Sequence, residues 1–141
     1  MSTQAATPSP SPMDPKQVAL EINKQAIILG VSEKEFGDVV CSSLLFIIWK
    51  CYETMCGRRT AKSLIKKLSC LVPAGIEMSF GGSKTKNLCN AVMNNCFNEK
   101  LPVNQVESIS LECLRAYVQQ THGKVVADKF EKAVYKMREA L

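Results

Sequence analysis

The chain is predicted to be all-α, a compact bundle of five to six helices with a disordered N-terminal Pro/Ser arm. Three observations predict this. Apolar residues recur at helical spacing through most of residues 14–141. Capping residues and glycines punctuate that pattern at intervals suited to helices. No apolar/polar alternation of the kind a half-buried strand needs runs over a useful length. At 141 residues, 46% apolar and 22% charged, the chain has the size and balance of one globular domain.

Each element follows in order. "MSTQAATPSPSPMDP" has prolines at 8, 10, 12 and 15 and no bulky apolar residue before Met13. Such a stretch cannot bury enough surface to offset its ordering entropy, so residues 1–13 are expected to be a disordered arm and residues 14–141 the helical domain. Asp14-Pro15 reads as an N-cap followed by proline at the first helical position. Ala19, Ile22, Ala26 and Leu29 then share a stripe, and Gly30 stops it. "SEKE" (Ser32–Glu35) reads as a capping box that opens a long helix to about Thr54. From Val39 to Trp49 this helix is apolar nearly all round, which predicts a central position. Its longest apolar run falls short of the roughly 18 residues a membrane span needs, so no span is expected.

Gly57 closes the connection, and Thr60 is expected to cap a third helix to about Leu71. Pro73 and Gly75 open a loop around the short apolar piece Ile76–Phe80. A fourth helix is expected over about Lys84 to Asn98, with Leu88, Val92, Met93 and Cys96 inward and an outer face of asparagines. Pro102 begins a fifth, striped by Val106, Ile109, Cys113 and Tyr117 and stopped by Gly123. The last carries Val126, Phe130, Ala133, Met137 and Leu141 inward, with Lys129, Lys132, Lys136 and Glu139 outside. The sequence shows no internal repeat.

Charge is distributed unevenly. Residues 1–53 carry a net −2 and residues 99–141 a net +1, while residues 54–98 carry +6, with Glu77 as their lone acid. Arg58, Arg59, Lys62, Lys66 and Lys67 lie on the third helix; Lys84 and Lys86 lie at the start of the fourth, beside Gly81-Gly82. Arg59, Lys62 and Lys66 fall at i, i+3 and i+7, opposite Ala61, Leu64, Ile65 and Leu68. No acid lies at i±3 or i±4 to neutralise them. These seven cations are therefore the candidate nucleic-acid-binding residues, expected on one surface and directed at a phosphate backbone. Without interleaved aromatics to stack on bases, sequence preference should be weak.

Other chemistries find less support. Seven cysteines in odd number, with no secretory signal at the start of the chain, argue for reduced, buried thiols rather than a disulfide framework. That implies a cytoplasmic or nuclear, reducing compartment. Their spacing does not match a zinc knuckle, so no metal or other cofactor is expected. The lone histidine, His122, precedes Gly123 at a helix end, where facing the helix dipole is a likelier role than catalysis. The acids of the predicted helices fall on outer faces, and "GGSKTK" lacks the context of a phosphate loop. An enzyme is not expected.

The profile that remains is a non-enzymatic helical protein that binds single-stranded RNA or another polyanion and forms a homo-oligomer, as a viral coat or nucleocapsid subunit does. The alternative is an interaction adaptor or regulatory module, of the host-defence antagonist type. Its apolar groove would take a helical peptide of a protein partner, with Ile76, Met78 and Phe80 as determinants.

Overall fold

Six helices make up the described residues of the computed structural model, which are 14–72, 82–97 and 101–139; no strand occurs among them. They are α1 (Pro15–Ile28), α2 (Phe36–Cys56), α3 (Arg58–Leu71), α4 (Ser83–Cys96), α5 (Val103–His122) and α6 (Lys124–Arg138). The all-α expectation holds. The expected arm over residues 1–13 lies outside the described residues.

α1 begins as its sequence dictates. Gln17 N donates to Asp14 Oδ1 at 2.9 Å while Asp14 N donates to Gln17 Oε1 at 3.0 Å, a reciprocal box around Pro15. Val18, Ile22 and Ala26 form its buried stripe, with Ala19 and Leu29 half-buried at its margins. The second expected box also forms, since Ser32 N and Ser32 Oγ both donate to Glu35 Oε2. It folds as a turn ahead of the helix, however, and α2 proper starts at Phe36.

Contacts between helices sort the six into three layers of two. α2 and α5 pack on each other in the middle; α1 and α4 pair on one side of them, α3 and α6 on the other. Neither α1 nor α4 touches α3 or α6 among the described residues. A middle layer is covered on both faces, which accounts for the apolar circumference of α2. Leu44, Leu45, Ile47 and Ile48 are all essentially inaccessible to water, and burying each contributes about 1.5–3 kcal/mol. By length and composition α2 could cross a bilayer, contrary to the expectation from the run length; here the other helices cover most of its surface.

The layers also give the molecule an approximate two-fold arrangement that the sequence does not advertise. Helices of 14, 21 and 14 residues are followed by helices of 14, 20 and 15. α2 packs on α3 as α5 packs on α6, and α4 packs on α2 as α1 packs on α5. Gly57 (φ 85°, ψ 165°) joins α2 to α3 with the same backbone conformation by which Gly123 (φ 89°, ψ 169°) joins α5 to α6. Buried positions correspond in register: Val40 with Val106, Leu45 with Leu111, Ile48 with Leu114, Ala61 with Ala127, Leu64 with Phe130 and Leu68 with Val134. Few of these pairs are identical, so the repeat lives in burial and turn geometry, and a reading of residue identities misses it.

Two expected stripes are corrected. α6 buries Ala127, Phe130, Val134 and Met137, one residue on from the expected Val126 and Ala133, which are half-buried. In α5 an acid sits inside rather than outside. Glu107 is 1% exposed and accepts from Arg138 Nη2 at 2.8 Å, tying the end of α6 to α5.

Candidate nucleic-acid interface

The basic helix owes its placement to Gly57. A positive φ combined with an extended ψ is open in practice to glycine alone, and it lets one residue end α2 and begin α3. Gly57 N donates to Glu53 O at 3.1 Å, and Gly57 O accepts from Ala61 N at 3.0 Å. α3 therefore starts at Arg58, two residues before the expected Thr60 cap. The correction places Arg58 and Arg59 in the first helical turn, with no side-chain cap and no acid among its opening residues. Free amides and guanidinium groups share that end.

Ala61, Leu64, Ile65 and Leu68 bury one face of α3, and Arg58, Arg59, Lys62, Lys66 and Lys67 are all exposed on the remainder. Among the described residues one carboxylate pairs with the five, that of Glu53 at the end of α2. Its Oε2 lies 3.7 Å from Arg58 Nε, and the Arg58 side chain remains 94% exposed. A pair so solvated contributes little. Arg59, Lys62, Lys66 and Lys67 make no ion pair among the described residues.

Lys84 and Lys86 do not join this surface. They stand at the start of α4, in the layer on the far side of α2 and α5. Lys84 is also engaged, because its Nζ donates to Glu35 Oε2 at 2.7 Å. That bond, reinforced by the Ser32 amide and hydroxyl, holds the Glu35 carboxyl down to about 2. With the folded value below the ordinary 4.5, the stabilisation is complete above that pH and is lost as pH falls toward 2. Nearby, the Ser43 hydroxyl, which shares its one proton with Val39 O at 2.7 Å, reaches Thr85 O at 3.1 Å, so the start of α4 is held both by α2 and by the turn ahead of it. Lys84 is a structural tie, and the expected seven-residue surface divides into five cations on one layer and two on another.

The neighbour of α3 in its layer is α6. The two helices pack side by side in one layer. Lys124, Lys129, Lys132 and Lys136 of α6 are exposed and make no ion pair among the described residues. The acids of α6 point elsewhere. Asp128 Oδ1 and Glu131 Oε2 lie 2.8 and 2.9 Å from Arg115 of α5. The sequence carried this signal, since Lys129, Lys132 and Lys136 repeat the i, i+3, i+7 spacing of Arg59, Lys62 and Lys66. Summing charge by segment hid it, because the acids cancel the lysines on paper but face another helix in space.

The expected partner-binding residues Ile76, Met78 and Phe80 lie outside the described residues. An apolar groove exists elsewhere, between α1, the start of α2 and α5. It encloses about 700 Å³, and Ile22, Ile27, Val31, Phe36, Val40 and Leu44 line it together with Tyr117.

The remaining reactive groups are subdued. Burial pushes the thiols of Cys41, Cys51 and Cys113 up to about 12 and that of Cys96 up to about 11. Such thiols hold almost no thiolate at neutral pH. Cys70 is exposed, and none of the seven is bridged. No three His, Cys, Asp or Glu side chains gather as a metal site among the described residues. His122 occupies the last turn of α5, its Nδ1 2.8 Å from Thr121 Oγ1. Comparison of this chain with family models, with curated proteins and with solved structures gave no match.

Proposed function

We propose that the chain is a non-enzymatic RNA-binding protein that grips the phosphate backbone through α3 and self-associates, as a viral coat or nucleocapsid subunit does. The observation that carries this reading is the α3 ridge itself. Five cations are exposed on a 14-residue helix, and among the described residues only Arg58 makes an ion pair, at 3.7 Å. Arg58 and Arg59 additionally sit at the positive end of the helix dipole, an arrangement that costs a few tenths of a kcal/mol, roughly, until an anion arrives. Backbone phosphates supply that anion, and many at once.

The experiment is a gel shift of the Arg58→Glu, Lys62→Glu double variant against single-stranded RNA. Both side chains face water, so helicity should be kept while binding disappears. Unchanged affinity would remove the reading. For self-association the supporting feature is on the opposite layer, where Leu20, Ile27 and Ile28 of α1 are 69%, 75% and 65% exposed. Light scattering that reports a monomer at all concentrations would delete that part. Unbridged thiols suit a reducing compartment such as the cytoplasm.

The groove between α1, α2 and α5 favours a second reading, an adaptor that takes an amphipathic helix of a protein partner. Groove binding would survive reversal of the α3 charges and lose little at high salt, whereas phosphate contacts would not.

A further inference from the structure

We infer that the outer face of the α3/α6 layer is a single seat for double-stranded RNA, with Lys124, Lys129, Lys132 and Lys136 of α6 forming its second half. The inference rests on the RNA reading of α3 and specifies the class of ligand. Its starting point is that α3 and α6 pack together, while nothing among the described residues covers their shared outer side. Their exposed cations stand on either side of the approximate two-fold. Arg58 corresponds to Lys124 just after the two equivalent glycines, and Lys66 corresponds to Lys132. The acids that would neutralise α6 are drawn to Arg115 on its α5 side.

Two considerations select a duplex over a single strand. Paired strands lie side by side, so two neighbouring cationic ridges about 8–10 Å apart, the spacing of packed helices, can each follow one strand, although only Arg58 with Lys124 and Lys66 with Lys132 occupy matching positions. Proteins specialised for single strands add to their basic groove aromatic platforms on which bases stack. The exposed aromatic of this layer, Tyr135, stands on the α5 side of α6, in a cleft with Arg115, Glu131 and Arg138. A face made of lysine and arginine reads shape and phosphate, which is how double-stranded RNA is recognised.

The test uses fluorescence anisotropy with labelled RNA as a duplex of about 20 base pairs, longer than the roughly 16 that a double-stranded-RNA module spans, and as the single strand. Three forms of the full chain are compared: the wild type, Lys129→Gln/Lys132→Gln/Lys136→Gln, and Arg59→Gln/Lys62→Gln/Lys66→Gln. All six side chains are exposed, and circular dichroism confirms that the variants fold. The wild type is expected to bind the duplex at least about tenfold more tightly than the strand. Each triple variant should weaken duplex binding at least about tenfold and flatten the plot of log affinity against log salt by roughly two to three units. If the α6 variant binds the duplex as the wild type does, or if strand and duplex bind equally, while the α3 variant is impaired, this inference fails and the α3 reading stands. If the α3 variant is unimpaired, both fail.

Discussion

Glu107 and Arg138 show how much of this molecule is decided by single side chains. Glu107 is buried in the middle layer with one carboxylate oxygen on Arg138 and lies beside the Tyr52 phenol; the Ser110 hydroxyl has no hydrogen-bond partner among the described residues. Burial, followed by the neighbouring Glu107 charge, pushes the Tyr52 phenol upward, so it stays neutral. Removing one member of a buried ion pair strands the other. Arg138→Met should therefore destabilise the fold by about 3 kcal/mol, read from the midpoint of urea unfolding. A change within a few tenths of a kcal/mol would mean that the pair is not a significant tie between α5 and α6. Nothing in the sequence marks Glu107 as internal, because the pattern around it admits an outward position equally well. The decision comes from Arg138, 31 residues away and brought near by the fold.

At the level of elements, most of the helices could be read directly because local chemistry dictates them. The Asp14-Pro15 start, the stops at Gly30, Gly57 and Gly123, and the break near Pro102 depend on residues within a turn or two. Errors arose where one residue serves two helices. Gly57 is both the end of α2 and the start of α3, so Thr60 is an interior residue of α3 rather than its cap. That small shift moves Arg58 and Arg59 into the first turn. Gly57→Ala meets no neighbouring atom, so its effect isolates backbone strain. A cost of about 1–3 kcal/mol is expected at this φ and ψ, and Gly123→Ala should match it within error if the two turns are equivalent. Thermal unfolding of the two variants checks both statements; an unchanged melting temperature for Gly57→Ala would contradict the strain argument.

For the whole molecule, layering decides what the charge can do. The expectation of one basic surface in the middle third treated neighbours in sequence as neighbours in space. Packing α2 and α5 together sends α3 and α4 to opposite outer layers, separating Lys84 and Lys86 from the ridge. The same packing brings in the lysines of α6, a helix that begins 53 residues after α3 ends and whose segment is nearly neutral overall. Pairing of this kind depends on long-range burial, which single-sequence periodicity does not encode. The unbalanced cations stand together on the outside of one layer, though not all are the ones the sequence nominated. The most direct test is the affinity of the purified full chain for RNA, measured from low to physiological salt. If six of the α3 and α6 cations each meet a phosphate of a duplex, log affinity should fall with log salt at a slope of roughly −5. No association even at low salt, or an affinity indifferent to salt, would contradict the account.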